Sequence, residues 1–348
     1  MKVLFCVPLS TGNPYVKTLA EGLRGCGVDA VIGCEEFWDE DDFDIIHFQW
    51  PEAVFDWAQK VPKAKVELFH KRIEYLKSQG VKIFTTCHNL KPHTRTDKGV
   101  LSLYGLIYSF SDVFVHLGEY SQSILSNEYP NAKHVIIPHH IYDTIYKFDL
   151  NKSDCQKELG LNPNAFNILC FGEFRTDEER DFIIKLMKIG KDMGWNFITP
   201  GFYKKRIVTK HISELPSRLI RYVRYKYLGI KFSTKFIDDC MLEKYFTACD
   251  IVMIQRHSIL NSGNLPMAFF AGKVVVGPDA GNVGEILRRS GNSVFKPKSI
   301  ESAIESIQKA GLLYRKGKGI QNRETAEGQW STHVVASQLY NIYLTIIS

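Results

Sequence analysis

The chain has 348 residues, of which 45% are apolar and 24% are charged, close to the average of globular proteins. This length favours two domains of roughly 150–200 residues each, and the composition excludes a disordered, collagen-like or coiled-coil chain. The 44 Lys and Arg residues against 38 Asp and Glu give a net charge of +6, which by itself selects no class of partner.

The cysteines and the apolar runs indicate the compartment. The eight cysteines are scattered without a C-x-x-C pair, which favours reduced thiols over a zinc site or a disulfide framework. No apolar run approaches the roughly 20 residues that span a bilayer, and the run 3–9 is too short for the core of a signal peptide. We therefore expect a cytoplasmic protein, either soluble or bound to the inner face of the membrane.

The first part of the chain alternates short apolar strands with amphipathic helices. The predicted strands are 2–7, 28–32, 44–48, 81–86, 112–116 and 134–137. The predicted helices are 15–24, 63–78, 99–110 and 121–127. Strands separated by helical segments in this way are typical of a parallel, doubly wound sheet.

Between residues 138 and 164 the periodicity lapses, which predicts a link between domains. A second series then follows, with strands at 167–171, 196–199, 235–237, 251–254, 273–276 and 293–295. Its helices are predicted at 177–193, 241–248, 263–271, 283–289 and 300–313, and a terminal helix at 332–347. The predicted fold is α/β, with two doubly wound Rossmann-like domains, 1–150 and 151–331, facing a cleft.

Ligands of such folds bind beyond the carboxyl ends of the strands, which selects a few loops of the first domain. Gly12 and Asn13 lie in a small polar loop ahead of a helix, without the glycine fingerprint of a dinucleotide site. His88 directly follows a strand, so its ring is directed into the cleft. A plain βα turn and a satisfied structural histidine are about equally good explanations of these two features.

Other polar side chains follow strands of the first domain, and the same caution applies to them. They are His47, Trp50, Glu52, Asn89, His139 and His140. The acidic run 39–42 contains a D-x-D spacing that could bind a divalent cation. Because this run precedes a strand instead of ending one, a solvated loop is the favoured interpretation.

The second domain offers three loops of its own. Arg175 follows Gly172 at a strand end, ahead of a helix that Asp177 is predicted to cap, so it could hold a phosphate. Arg256 precedes the helix start Asn261-Ser262-Gly263-Asn264, where backbone N–H groups and a fixed charge suit a diphosphate. The glycine-rich turn Gly277–Gly284, next to Glu285, is predicted to join the same site. Capped helices with surface ion pairs are the structural alternative.

Taken together, these elements resemble the GT-B glycosyltransferases, particularly the retaining enzymes of glycosyltransferase family four. The strongest segment is Asn261–Glu285, which is similar to the donor-binding stretch of that family. Phe171–Arg175 resembles its phosphate-binding loop, and Thr85–His88 resembles its strand-end histidine. The terminal helix 332–348 would, by this resemblance, complete the first domain.

The sequence departs from the family pattern at two places. The family commonly has two glutamates around the donor helix, where this chain has Ile259 and Met267 at the aligned positions. The lysine that follows the arginine of the phosphate loop is replaced by Glu178, with Arg180 two residues beyond. Either Arg180 or Arg256 could substitute for that lysine.

The resemblance implies transfer of a hexose from a nucleoside diphosphate sugar to a glycan or lipid-linked acceptor hydroxyl, as in polysaccharide biosynthesis. It implies a reaction that retains the configuration of the transferred sugar. It also implies that neither a metal nor a cofactor takes part, since cations and helix N–H groups can stabilise the leaving diphosphate. Arg175 and His88 would be catalytic, and an inverting enzyme would use His88 or Glu52 as base. The donor would contact Gly12, Asn13, Arg256, Asn261, Ser262, Gly263, Asn264 and Glu285. The acceptor side would comprise Trp50, Glu52 and Asn89, in an acceptor-side first domain facing a nucleotide-sugar-binding second domain.

Other function classes remain open. A nucleotide-sugar epimerase could share the fold, and a nicotinamide-dependent dehydrogenase is disfavoured by the missing glycine fingerprint. The third alternative is a non-catalytic protein that binds an anionic surface.

The third alternative depends on one segment. Residues Lys204–Lys235 hold ten Lys and Arg against one acid, so the rest of the chain is mildly acidic. On a predicted helix 217–228 the apolar face would be packed and the basic-aromatic face exposed. The packed face comprises Leu219, Ile220, Val223 and Tyr227; the exposed face comprises Arg218, Arg221, Tyr222, Arg224 and Tyr225. Such a face suits an anionic membrane or a polyanionic acceptor better than nucleic acid, for which no motif is present; a merely solvated face is an equal alternative.

Overall fold

The computed structural model describes residues 1–10, 12–92, 97–202, 220, 223, 225, 227, 230 and 237–348. Its internal contacts divide the chain into two compact units, Met1–Ile145 with Glu327–Ser348, and Tyr146–Ala326. Each unit contains one parallel sheet with helices between successive strands. The predicted doubly wound α/β fold class is therefore confirmed.

The first unit is built on six strands in the order β2-β1-β3-β4-β5-β6, and every neighbouring pair is parallel. The strands are β1 (Lys2–Phe5), β2 (Asp29–Ile32), β3 (Ile45–Phe48), β4 (Lys82–Thr86), β5 (Val113–His116) and β6 (Lys133–Ile136). The helices are α1 (Tyr15–Gly25), α2 (Glu36–Asp39), α3 (Lys63–Ser78), α4 (Lys98–Phe110), α5 (Glu119–Glu128), a 3-10 helix (Pro51–Phe55) and the terminal α13 (Thr332–Ile347). Strands β3 and β5 are buried at every position, because helices cover both faces of such a sheet.

The second unit has five parallel strands in the order β11-β10-β9-β7-β8. The strands are β7 (Phe166–Leu169), β8 (Trp195–Ile198), β9 (Ile251–Met253), β10 (Val274–Pro278) and β11 (Ser293–Phe295). The helices are α6 (Lys152–Glu158), α7 (Asp177–Lys191), α8 (Asp239–Ala248), α9 (Asn264–Phe270), α10 (Gly281–Arg289), α11 (Ile300–Arg315) and α12 (Lys318–Gln329). The central strand β9 is apolar and buried at every position.

The sequence patterns miss some helices and one cap. Helix α6 lies inside the segment that was predicted to be an irregular link, and α2 and α12 were not predicted. Helix α6 begins where the Asn151 side chain accepts hydrogen bonds from the backbone N–H groups of Ser153 and Asp154, so these polar residues cap a helix instead of marking a loop. The N-cap of α7 is Thr176 and not Asp177. The predicted strand 235–237 lies largely outside the described residues.

The terminal helix α13 packs against α1 in the first unit. A Cβ atom at Gly22 would lie only 2.9 Å from the Cβ of Ala336, so glycine is what lets the two helices approach this closely. The Asp143 carboxylate accepts a hydrogen bond of 3.0 Å from the backbone N–H of Thr332. This bond satisfies a donor at the start of α13 that the helix itself cannot satisfy.

Candidate functional site

His88 lies at the carboxyl end of β4, inside a cluster of aromatic rings. Its ring stacks on Trp50 with centroids 4.4 Å apart and planes 18° from parallel. The ring of Tyr15, at the start of α1, meets it edge-on at 4.8 Å. The His88 Nε2 lies 2.9 Å from the Gln49 Oε1. Two residues that follow β3 and one at the start of α1 thus hold the imidazole in one orientation.

The two histidines after β6 also contact Tyr15. His140 stacks on the tyrosine ring at 4.8 Å, and His139 lies 4.6 Å from it. The Nε2–H of His140 donates to the Tyr15 carbonyl oxygen at 3.0 Å, and the Nδ1–H of His139 donates to the His140 carbonyl oxygen at 2.7 Å. The structure therefore brings the histidines at 88, 139 and 140 together around Tyr15.

Burial keeps these imidazoles uncharged at neutral pH. Desolvation, with smaller contributions from neighbouring histidines, lowers the pKa of His88 well below its ordinary range. Burial likewise lowers the pKa of His139 to about 3 and that of His140 to about 4. Neutral rings of this kind orient hydroxyl groups through hydrogen bonds, but they do not supply a positive charge for a phosphate.

His47 has a structural environment. Its Nδ1 lies 2.6 Å from the Tyr343 hydroxyl and its Nε2 lies 2.8 Å from the Thr86 hydroxyl. The ring has no exposed surface, and burial lowers the pKa of the imidazole to about 3. His47 is therefore the satisfied core histidine that the sequence could not distinguish from a site residue.

The predicted acceptor-side residues follow β3 (Trp50 and Glu52) or β4 (Asn89), and their surroundings differ. Trp50 stacks on His88 as described. The Glu52 carboxylate is buried and accepts a hydrogen bond of 2.7 Å from the Tyr104 hydroxyl. The backbone carbonyl of Asn89 accepts one of 2.8 Å from the Tyr108 hydroxyl. Two tyrosines of α4 thus brace the loops that carry these residues.

The loop of Gly12 and Asn13 borders a pocket of about 490 Å³. The pocket lies between the segment after β1, the first turns of α1 and the end of β2. The Asn13 side chain accepts a hydrogen bond of 3.0 Å from the backbone N–H of Tyr15, which supports the helix start. Thr11, in the same loop, is outside the described residues.

The acidic run 39–42 is occupied by ion pairs. Lys2 Nζ contacts the carboxylates of Glu40 at 2.8 Å and Asp42 at 2.7 Å. Arg72 Nη1 contacts Asp41 at 2.6 Å. These pairs tie β1 and α3 to the loop, which gives the acidic residues a structural role.

In the second unit, Arg175 and Arg256 follow neighbouring strands, β7 and β9. Arg175 is exposed and Arg256 is half-buried. Burial, together with the positive charge of Arg175, lowers the pKa of Arg256 to about 10, which still leaves the Arg256 guanidinium charged at neutral pH. Two cations that repel each other at adjacent strand ends are stabilised by a shared anion.

Arg180 is engaged elsewhere. Its guanidinium donates to the carbonyl oxygens of Phe174 and Phe202, the latter at 3.1 Å, and contacts Asp177 at 3.0 Å. It braces the loop that carries Arg175. Glu178, at the position of the family lysine, pairs with Lys298 at 2.9 Å. Of the two candidates to replace that lysine, Arg256 is the one whose pKa the charge of Arg175 lowers.

The two glycine-bearing segments of the second unit lie against each other. The Asn282 side chain donates to the Asn261 side chain at 2.8 Å, and the backbone N–H of Val283 donates to the Leu260 carbonyl at 3.2 Å. Gly281 has φ +57°, and a Cβ atom there would lie 2.3 Å from the Ile259 carbonyl oxygen. The loop after β9 and the turn after β10 therefore contact each other.

The start of α9 faces the loop after β7. The Asn264 side chain donates to the Phe171 carbonyl at 2.8 Å, next to Gly172, whose φ is +94°. Gly263 occupies the N-cap position without a side-chain cap, and Ser262 precedes it. These contacts join the Asn261–Asn264 segment to the loop that carries Arg175.

Ile259, Met267 and Glu285 complete the set of predicted positions. Ile259 and Met267 are buried and apolar, so neither takes the place of a family glutamate. Glu285 lies on α10, 3.6 Å from Arg289.

Comparison with known proteins decides the fold family. No family model and no curated protein matches the sequence. Sucrose-phosphate synthase from Thermosynechococcus elongatus has a similar structure, with a TM-score of 0.76 at 14% identity over 99% of this chain and 98% of that one. A glycosyltransferase from Rickettsia africae has a TM-score of 0.68 at 15% identity, over 100% of this chain and 98% of that one. HepE from Anabaena, solved with UDP and glucose, has a TM-score of 0.68 at 12% identity, over 99% of this chain and 100% of that one.

The chain has the GT-B fold. Identities this low establish the architecture and nothing finer. Within this GT-B chain, the strand ends of the first sheet carry a neutral histidine–aromatic cluster, and those of the second carry two arginines. Gln49 and Tyr15 of the first cluster were not singled out from the sequence, although Gln49 directly follows a buried strand and Tyr15 begins a helix after a polar loop.

Most of the basic segment 204–235 lies outside the described residues, including all ten of its Lys and Arg. At the described positions of its helix, the exposed and buried faces are the opposite of those predicted. Tyr225 is buried against Phe202, with ring centroids 5.0 Å apart. Ile220, Val223 and Tyr227 are exposed, Tyr227 to 90%. The prediction that these three apolar residues pack inward was wrong, because a single large aromatic ring occupies the core position instead.

None of the helices in the described part of this GT-B chain is both long enough and apolar enough to cross a membrane.

Proposed function

We propose that this protein is a glycosyltransferase that moves a hexose from a nucleoside diphosphate sugar to a glycan or lipid-linked acceptor hydroxyl. The observation that carries the proposal is the pair of Arg175 and Arg256 at adjacent strand ends of the second sheet. The GT-B neighbours support it, because HepE was solved with UDP and with glucose. We further propose membership of the retaining glycosyltransferase family four, on the Asn261–Glu285 segment.

The second unit would bind the donor. Arg175 and Arg256 hold the diphosphate, and their two charges stabilise the negative charge that develops as the sugar leaves. Asn261, Ser262, Gly263 and Asn264 form the adjoining backbone cradle, with Glu285 beside it. Arginines can supply this stabilisation without a metal ion, so we propose a metal-independent reaction without a cofactor.

The first unit would bind the acceptor and orient the sugar. His88, held neutral by burial, hydrogen-bonds the transferred hexose, and Trp50, Glu52 and Asn89 border the acceptor. Gly12 and Asn13 contribute donor contacts from the same unit. In a retaining transfer the leaving phosphate oxygen takes the proton of the acceptor hydroxyl, so no side-chain base is required. This fits a weakly basic imidazole at position 88 and a Glu52 carboxylate that is already bonded to Tyr104.

A screen of nucleoside diphosphate sugars tests the proposal. A true donor at 100 times its Kd adds about 2.7 kcal/mol to the free energy of unfolding, and it should release nucleoside diphosphate when an acceptor is present. Product analysis separates transfer from epimerisation, since an epimerase returns an isomeric nucleotide sugar and releases no diphosphate. If no nucleotide sugar stabilises the protein, the proposal fails.

A second, compatible activity is binding to an anionic membrane from the cytoplasmic side. The exposed Ile220, Val223 and Tyr227 are spaced so that they share one side of a helix. They lie in the segment that carries ten of the basic residues of the chain. Apolar side chains that insert between lipids, surrounded by positive charge, are the usual composition of an interfacial helix. A lipid-linked acceptor would place the enzyme at such a surface.

A further inference from the structure

We propose that Gln49 is a positioning residue that holds the imidazole of His88 in its Nε2–H tautomer. This inference rests on the proposed role of His88 in orienting the donor sugar, and it adds a residue that the sequence did not single out. It is carried by one hydrogen bond, by the packing around both side chains and by an unpaired amide group.

The hydrogen bond defines the tautomer. The Oε1 of Gln49 lies 2.9 Å from the Nε2 of His88. An amide oxygen only accepts, so the ring nitrogen that faces it must carry the proton. Nδ1 is then the acceptor nitrogen of the ring.

Neither side chain has room to turn. Gln49 is 1% exposed and His88 is 8% exposed. Trp50 covers one face of the imidazole at 4.4 Å, and the Tyr15 ring meets it at 4.8 Å. Gln49 directly follows β3, the strand adjacent to β4, whose end carries His88. Parallel pairing of these two strands therefore sets the distance between the two side chains.

The other end of the same amide argues for a functional role. The Nε2 of Gln49 is buried and has no hydrogen-bond partner among the described residues. An unpaired buried donor destabilises a folded protein, so this glutamine is a poor choice if the site serves stability alone. The contact with His88 is what the amide contributes, and it resembles the second partner that orients many functional histidines.

NMR of protein labelled with ¹⁵N-histidine reads the tautomer directly and without substrate. The His88 signals are assigned by their loss in His88→Asn. We expect the wild-type ring to carry its proton on Nε2. Gln49→Glu should keep the proton there because a carboxylate also accepts, and Gln49→Met should lose the preference for the Nε2–H tautomer. Protonation of Nδ1 in the wild type, which would mean that the amide is oriented the other way, or an unchanged tautomer in Gln49→Met, would overturn the proposal.

The kinetic readout separates this role from a structural one. Gln49→Met should lower kcat for the sugar donor about tenfold, as loss of an orienting partner does, with a smaller change in KM. Gln49→Glu should restore turnover at a pH where His88 is neutral. The carboxylate would raise the pKa of His88, against the opposing effects of burial and of the neighbouring His139, His47 and His140.

Matched controls keep the outcomes distinct. Gln122→Met removes an amide that bonds the His134 carbonyl elsewhere in the same unit, and it should leave the His88 tautomer unchanged. If Gln49→Met does not fold, the wild-type and Gln49→Glu spectra still decide the proposal. If Gln49 sets the tautomer but no nucleotide sugar is turned over, the proposed function fails and the positioning role stands.

Discussion

His47 and Tyr343 are joined by a hydrogen bond of 2.6 Å although 296 residues separate them in the chain. The tyrosine lies on the terminal helix α13, and the histidine lies in the central strand β3 of the first sheet. Both side chains are completely buried. This contact helps to hold the last helix of the chain on the first unit.

Tyr343→Phe should therefore lower the free energy of unfolding by about 1–3 kcal/mol, because it leaves a buried imidazole nitrogen unpaired. Urea denaturation of the purified protein measures the change. Tyr340→Phe, on the same helix but only half-buried, is the matched control and should change stability less. Equal stabilities of the wild type and Tyr343→Phe would contradict this account of α13.

Arg175→Ala and Arg256→Ala should each remove most turnover of the sugar donor while the melting temperature stays near that of the wild type. Each substitution removes one of the two charges assigned to the diphosphate, and charge-assisted bonds contribute more than neutral ones. Arg315→Ala, which removes an exposed arginine on α11, should leave turnover unchanged. Near-normal turnover of Arg175→Ala would refute the assignment.

Arg180→Ala should behave differently from Arg175→Ala and Arg256→Ala. Its guanidinium bonds two backbone carbonyls of the loops around Arg175, so its removal should lower the melting temperature, and turnover should fall only to the extent that the loop is disordered. A stable variant that has lost diphosphate binding would instead place Arg180 in the donor site.

Acid should destabilise the first unit. Burial lowers the pKa of His47 and His139 to about 3 and that of His140 to about 4 in the folded chain, against about 6.5 in the unfolded chain. Between these values the unfolded state binds more protons, so stability falls as pH drops below about 6.5 and continues to fall toward pH 4. Urea denaturation at several pH values measures this, and His139→Phe should flatten the dependence. A free energy of unfolding that stays constant from pH 7.5 to pH 5 would contradict it.

Vesicles with anionic lipids should sediment the protein at low salt and release part of it at high salt. Tyr227→Ser should weaken this binding because it removes the most exposed apolar ring of the basic segment. Leu312→Ser, which removes an exposed leucine on α11, is the control. Absence of binding to anionic vesicles at both salt concentrations would exclude the membrane role.

The sequence predicted the architecture because periodicity is a local property. In strands such as β3 and helices such as α3, the apolar residues follow a pattern that the backbone geometry of the element sets. The order of these elements along the chain implies two parallel sheets. Placement of Gly12, His88, Arg175 and Arg256 beyond strand ends follows from the same order. The short α6 escaped detection because its N-cap residue Asn151 and the nearby Ser153 also favour turns.

Contacts between distant segments could not be predicted from the sequence. Burial of Tyr225 in place of Ile220 depends on Phe202, which no periodicity places there. The difference between His47 and His88 depends on Tyr343, Trp50 and Gln49, because each imidazole is defined by the groups that surround it. The sequence by itself determined the two sheets and the loops that follow their strand ends, since hydrophobic period and chain order are local. Only the tertiary structure decided which histidine is structural, which arginine is available and which amide faces His88, because those depend on burial and on partners far away in the chain.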